Sequence, residues 1–312
     1  MTRRVPRREQ GAALINVLVL VGGLAALSSA MLDRLRLARH LDETRTTVAA
    51  ARGAALAGEM LLLARLPQPR LPAAPFMLAT PAGPVRISLL PGGNCFNLNS
   101  VAMGAPGRTV TRPLGVEQLA RLLALLDVPA AEAARIAAAT ADWIDVDQQP
   151  GSGGAEDPAY ARADMPYRTA GTLLAEVSEW RAVAGVTPAI FARAAPYVCA
   201  LPETALSRPN VNSLTPEAAP VIAAIGNVPL PTARDAIAAR PPGGWSDAAQ
   251  FWAQPLLAGR AIGADALGQP DVRDRWVAYR MAAPAAPLVE TGLIDADRAP
   301  ARLVVRRWGD EA

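Results

Sequence analysis

The sequence predicts an α+β protein: a long N-terminal helix packed on an antiparallel sheet, with a large all-α domain inserted within that sheet. Three observations carry this prediction. An uncharged apolar run over residues 12–32 continues without a proline to Leu66. Strand-like stretches cluster at two places far apart in the chain, around 85–98 and 272–308. Between these clusters the apolar residues recur at helical spacing rather than alternating.

The N-terminus comes first. Residues 1–11 are short, polar and arginine-rich (Arg3, Arg4, Arg7, Arg8) and end in Gly11. About 20 apolar residues at roughly 1.5 Å rise span the hydrocarbon core of a bilayer, so residues 12–32 predict a transmembrane helix. The arginines ahead of it predict a cytoplasmic N-terminus, with the bulk of the chain on the far side of the membrane. Over 33–66, Leu35, Leu37, Leu41, Val48, Leu56, Met60 and Leu63 form a loosely helical apolar series among charges such as Asp33-Arg34 and Asp42-Glu43. The helix is expected to run on as an amphipathic stalk and to stop at Pro67 and Pro69. The alternative is a secretory signal peptide cut after Ala30, where Ser28-Ser29-Ala30 offers the required small residues. That cut would divide a continuous helix at its middle.

Strands are expected at 85–90, 95–98, 272–281, 288–290 and 303–308, separated by turn residues such as Gly92-Gly93 and Pro284 to Pro287. The middle of the chain reads as helices over 116–126 and 130–144, the second ending before a group of aspartates. Asn97-Leu98-Asn99-Ser100 and Asn210-Val211-Asn212-Ser213 each precede a helix pair and then an aromatic-containing segment. Asn and Ser at such places supply capping side chains. Similar halves suggest a duplicated helical unit. The expected organisation is a leader (1–11), a membrane helix (12–32), its amphipathic continuation (33–66), a sheet domain (67–99 with 271–312) and an inserted helical domain (100–270).

Composition closes off several functions. The formal net charge of +3 is matched by the N-terminal arginine cluster, which leaves the body without the basic excess that drives counterion release from DNA. His40 is the single histidine, and Cys95 and Cys199 are the only cysteines. No His/Cys zinc cluster can be built from that inventory. A Ser-His-Asp triad would have to use His40, on the flank of a membrane segment. No enzyme is expected.

A short basic leader ending in Gly11, followed by an apolar helix that continues as a stalk, resembles a type IV prepilin. The resemblance implies a pilin-like fold, cleavage after Gly11 by prepilin peptidase, and methylation of the new amine on Ala12. Asn16 stands at the fifth mature position, where most pilins carry a glutamate. Its absence there is typical of the K-type minor pseudopilin of type II secretion (general secretion pathway protein K). The body is similar to the same family through CFNLNS (95–100), DWIDVDQQPGSGGAED (142–157), Pro166-Tyr167, VSEW (177–180), PYVCALPE (196–203) and PNVNSLTPE (209–217), in the expected order. The resemblance implies a heterotrimer with the I- and J-type minor pseudopilins, contacts with other pseudopilins and the inner-membrane assembly platform, and a place at the tip of the pseudopilus that supports export of folded proteins across the outer membrane. The inserted domain would cap that tip. Gly22, Gly23, Ala25 and Ala26 are small enough for close lateral packing of the membrane helix.

The helical middle also resembles duplicated helix-hairpin-helix units, which raises a different function, a membrane-tethered DNA-binding protein. Such hairpins hold phosphate on the bare amides of a Gly-x-Gly turn. Here the turns read Leu126-Asp127-Val128-Pro129 and Ile225-Gly226-Asn227-Val228-Pro229. One glycine remains and proline removes an amide, so the phosphate-binding chemistry is expected to be lost.

Asp145 and Asp147 form a D-x-D pair, a Pro-Gly-Ser-Gly-Gly stretch follows, and Glu156-Asp157 returns two more carboxylates, with Asp142 and loop carbonyls as secondary candidates. Clustered oxygen donors on a flexible loop suit calcium, which takes irregular geometry, better than magnesium. The same residues also read as solvated loop acids; the family resemblance implies calcium, in a structural role. Cys95 and Cys199 are expected to form a disulfide if this part faces an oxidising compartment, against the alternative of two buried thiols. Closing a loop of about a hundred residues contributes roughly 4–5 kcal/mol in the chain-entropy view.

Overall fold

The computed structural model describes residues 7–66, 71–72, 74–105, 107–162, 164–284, 286 and 288–309. The leader calls therefore fall partly outside the described residues, as do the side chains of Gly11 and Ala12 and the helix stop expected at Pro67 and Pro69.

One helix, α1 (Arg7–Arg65), runs unbroken for 59 residues and carries Ser28, Ser29 and Ala30 in its interior. At ~1.5 Å per residue it is about 90 Å long. Its stretch Ala13–Arg65 is long and apolar enough to cross a membrane. Residues 13–50 are exposed along their whole length. Packing begins at Ala51 and follows Ala54, Ala55, Gly58, Glu59, Leu62 and Leu66, one stripe at spacings of three and four. The apolar series read from the sequence is mostly not this stripe. Leu35, Leu37, Leu41 and Val48 stay exposed, and Met60 is 71% exposed. Small residues won because they let the helix backbone approach the sheet: a Cβ on Gly58 would lie 2.8 Å from Val85 Cγ2 and 3.3 Å from Met281 Sδ.

The sheet has five antiparallel strands in the order β1 (Phe76–Leu78), β2 (Val85–Pro91), β3 (Trp276–Ala283), β4 (Leu288–Asp295), β5 (Arg302–Trp308). Alternate residues face α1, so Val85 and Ile87 of β2 and Val277, Tyr279, Met281 and Ala283 of β3 join its stripe in one core. Register places Ile87 opposite Met281 and Tyr279 opposite Gly292. Three strands depart from the sequence reading. β1 was not foreseen, β3 starts at Trp276 rather than 272, and β4 extends to Asp295. The stretch read as a strand at 95–98 is not in this sheet. Phe96–Asn97 instead forms a short parallel ladder with Val198–Cys199, and Leu98–Val101 is a 3-10 turn. Phe96 and Leu98 are fully buried in the helical core, which draws the segment away from the sheet.

β2 and β3 are neighbours in the sheet, so everything between Pro91 and Trp276 is looped out from one edge-to-edge pairing. That excursion has two cores. The first gathers Phe96, Leu119, Leu122, Ile136, Ile144 and Trp180 around α2 (Pro113–Leu125) and α3 (Ala130–Ile144). The second gathers Val221, Ile222, Ile225, Ile237, Phe251 and Trp252 around α4 (Ala219–Gly226) and α5 (Leu230–Ala238). Leu125 and Tyr197 pack against both.

The two helix pairs turn in the same way. Asp127 (φ 61°) and Asn227 (φ 51°) are left-handed at corresponding positions. Val128 N–H then donates to Leu123 O at 3.1 Å, and Val228 N–H to Ala223 O at 3.2 Å. These amides serve the turns themselves, and the following residue in each case is a proline. Nothing in the geometry favours phosphate binding. Asn97 Oδ1 accepts from Asn99 N–H and caps the 3-10 turn. The second asparagine of each motif does not cap a helix: Asn99 and Asn212 reach across to distant loops.

Candidate functional site

The acid loop follows directly from the end of α3. Ala139, Thr140, Ala141, Asp142, Trp143 and Ile144 are buried in its last turns, which fixes where the next residues leave. Asp145 ends the helix in extended backbone, its N–H donating to Ala141 O at 2.9 Å. Two threonines from the segment just ahead of α2 hold this exit. Thr109 Oγ1 donates to Ile144 O at 2.9 Å and Thr111 Oγ1 to Asp145 Oδ2 at 2.9 Å.

The glycine-rich stretch then folds back over the helix end. Gly151 N–H donates to both oxygens of Asp142, at 3.1 and 3.2 Å. Gly154 packs so tightly on that carboxylate that any Cβ there would collide with it. Asp142 is thus the clasp of the loop. Returning along it, Glu156 becomes buried beside Asp145.

Asp145, Asp147 and Glu156 come together, each offering an oxygen within 4.8 Å of the others. Asp145 and Glu156 are buried while Asp147 faces solvent, so the group is open on one side. Asp157 does not join. Its Oδ1 accepts from Thr169 N–H at 2.9 Å and Thr169 Oγ1 at 3.0 Å, and its Oδ2 lies 3.8 Å from Arg168 Nε. Residues 156 and 157 point apart because Asp157 opens a short helical turn. Beneath the loop, Trp143, Tyr160 and Tyr167 make a chain of ring contacts, with centroids 5.3 Å apart for Trp143–Tyr160 and 5.1 Å for Tyr160–Tyr167.

Among the described residues, Asp142, Asp145, Asp147 and Glu156 crowd together and none of them makes an ion pair. Burial, then the charges of Asp142 and Asp145, push the Glu156 carboxyl up to about 7. Burial likewise raises Asp142 and Asp145, against the hydrogen bonds that favour their ionised forms. Asp145 Oδ1 and Glu156 Oε1 are buried and accept no hydrogen bond. Buried oxygens of this kind are rare unless something else satisfies them. The residues fit a hard cation: oxygen donors only, close together, with unspent lone pairs on Asp145 and Glu156.

Elsewhere in the inserted domain, Cys95 is bonded to Cys199, 104 positions away in sequence. The bond ties the first strand of the insertion to the ladder partner of Asn97, next to the junction with the sheet. Asn16 lies on the exposed part of α1. Sequence reasoning missed Thr109, Thr111 and Thr169, which brace the acids; isolated threonines carry no spacing signal that could have found them.

Comparison with known proteins follows these two halves. Models of the family described as type II secretion system (T2SS), protein K, match residues 94–203 and 209–273. Type II secretion system protein K of Klebsiella pneumoniae is 34% identical over 266 residues, covering 80% of this chain and 81% of its own. The chain belongs to the type II secretion system protein K family. Protein K of Pectobacterium carotovorum subsp. carotovorum is 31% identical over 255 residues, covering 77% of each chain. Among solved structures, the GspK-GspI-GspJ complex from enterotoxigenic Escherichia coli matches with a TM-score of 0.69 at 27% identity, over 88% of this chain and 99% of that one. A protein K is a minor pseudopilin, a structural subunit of the secretion machinery. The two family matches meet between Glu203 and Pro209, where the chain passes from the first helical core to the second.

Proposed function

We propose that this minor pseudopilin is anchored in the inner membrane with its N-terminus in the cytoplasm, and that it caps the tip of the pseudopilus together with I- and J-type minor pseudopilins. The observation that carries this is α1: a helix exposed and apolar for its first half, then fastened by a stripe of small residues under a sheet. A bare apolar helix in water is costly, and lipid or neighbouring helices of the same kind are what would cover it. The solved GspK is in complex with GspI and GspJ, and the likeness carries those partner types to this chain. Asn16 replaces the usual glutamate, consistent with a subunit that has none above it, and the bulky inserted domain would oppose further addition. Cleavage after Gly11 and methylation of Ala12 belong to the same reading.

Calcium is part of the proposal. Asp145, Asp147 and Glu156 would hold it, with Asp142 keeping the loop closed; the ion would neutralise acids that otherwise repel one another. Its role is structural, and no catalysis is assigned to the chain.

The experiment is mass spectrometry of the full chain after co-expression with a prepilin peptidase, followed by co-purification with I- and J-type subunits. A methylated Ala12 start and a three-way complex are expected. A chain beginning at Met31, or one processed correctly that captures neither partner, overturns the reading.

A further inference from the structure

A second cluster of charged groups lies far from the acid loop, where α1 meets the sheet. Glu290 of β4 is completely buried. Facing it are Glu59 from α1, Tyr279 from β3 and Arg306 from β5, so every element packed around it contributes one polar group. Arg306 grips Glu59 with both arms, Nε to Oε2 at 2.7 Å and Nη2 to Oε1 at 2.6 Å. The Tyr279 hydroxyl lies 2.6 Å from Glu290 Oε1 and 3.2 Å from Glu59 Oε2. Its ring lies over the Cα of Gly292, its cross-strand neighbour, where a side chain would clash.

The protons do not balance if both carboxyls are ionised. A phenol has one hydrogen, and two carboxylate oxygens reach for it. Glu290 Oε2 is buried and accepts from no donor among the described residues. Among the described residues one arginine serves both acids: Arg306 holds Glu59 at 2.6 Å and stands 3.7 Å from Glu290.

We propose that Glu290 carries a proton in the folded protein under mildly acidic conditions, and that Glu59, Tyr279, Glu290 and Arg306 form a proton-dependent latch holding the stalk helix to the outer strand of the sheet. Ionising Glu290 places two carboxylates against one another in a buried site served by one arginine, and the latch loosens.

The directions of titration agree with the geometry. Burial, more than any neighbour, pushes Glu290 up to about 7, and Glu59 adds to the rise. Burial alone would raise Glu59 too, but the hydrogen bonds and charge of Arg306 hold it below its ordinary value. A raised carboxyl stabilises the closed form fully below its ordinary pKa of 4.5, and that contribution is lost as pH rises through about 7. Glu59 works in the opposite sense, its contribution being lost only as pH falls below 4.5. The latch is therefore tightest in mildly acidic surroundings and weakens towards alkaline pH.

The test uses the full chain in detergent micelles, comparing wild type with Glu290→Gln, which keeps the shape of the protonated acid. In infrared difference spectra between the two, the wild type should show a protonated-carboxyl band that titrates away near about pH 7. Hydrogen exchange of 51–66 and 302–308, corrected for intrinsic rates, should report a latch-opening constant that rises by up to about tenfold per pH unit between about pH 5 and 7 in the wild type, and stays flat in Glu290→Gln. An identical exchange slope in both proteins, or no band assigned to Glu290, overturns the proposal. Should Glu290→Gln fail to fold, Tyr279→Phe removes the donor that favours the ionised acid. Its band should persist to higher pH, and an unmoved midpoint overturns the proposal.

Discussion

Asn99 and Asn212 do the same work in the two halves of the inserted domain. Asn99 donates to Leu174 O at 2.9 Å and Leu201 O at 2.8 Å, and accepts from Leu174 N–H at 2.8 Å. Asn212 donates to Trp245 O at 2.9 Å and Val272 O at 3.3 Å, and accepts from Trp245 N–H at 2.7 Å. Each amide staples two returning loops to the front of its helix pair. The correspondence makes the duplication structural as well as a matter of sequence pattern.

Removing these staples should be costly and unequal. Asn99→Ala leaves three buried backbone groups unpaired and should lower stability by about 2–3 kcal/mol in urea unfolding. Asn212, half-buried, should cost about 1–2 kcal/mol when replaced by Ala. Equal losses at the two sites would contradict the difference in burial.

Calcium and pH should act on Glu156 in opposition. Its carboxyl, raised to about 7, stabilises the metal-free fold below its ordinary 4.5, and that contribution is lost as pH rises through about 7. In EDTA the melting temperature should therefore fall between about pH 5 and 7, and calcium should reverse the loss because binding requires the ionised form. Calorimetric affinity should weaken on acidification. Glu156→Gln should shallow the metal-free slope and impair binding.

The disulfide closes a long loop, and replacing Cys95 and Cys199 together by serine should destabilise the protein by about 4 kcal/mol, read from the denaturation midpoint. Added reductant should move the wild type towards the variant and leave the variant unchanged.

Two glycines of α1 should respond in opposite directions. A Cβ on Gly53 meets only Ala82 Cβ at 3.8 Å, so Gly53→Ala should stabilise by up to about 1 kcal/mol through helix propensity. Gly58→Leu pushes the helix from Val85 and Met281 and should destabilise by about 1–3 kcal/mol. Thermal melts of the two variants on either side of wild type are the expected result.

Much of this protein was legible without coordinates because its signals are local. An uncharged run of membrane length, the absence of proline between positions 12 and 66, and helical spacing followed by paired Asn motifs each reside in a few neighbouring residues. So did the acids of the loop, since Asp145, Asp147 and Glu156 lie within one short stretch. What the sequence could not assign was direction. Asp157, adjacent to Glu156, turns towards Thr169 because the backbone bends between them. Phe96 leaves the sheet because the deeper core lies in the insertion. The buried stripe of α1 opens with alanines and Gly58, which let the backbone approach the sheet, and closes with Leu62 and Leu66. The latch of Glu59, Tyr279, Glu290 and Arg306 joins four segments spread over most of the chain, and the burial of its two acids and its tyrosine is what sets it apart from ordinary surface charges. Sequence by itself determined the class of molecule, its long apolar N-terminal helix and its repeated helices, because covalent neighbours set those patterns. Tertiary structure alone decided which charges lose water together, because desolvation depends on what the rest of the fold brings to the same place.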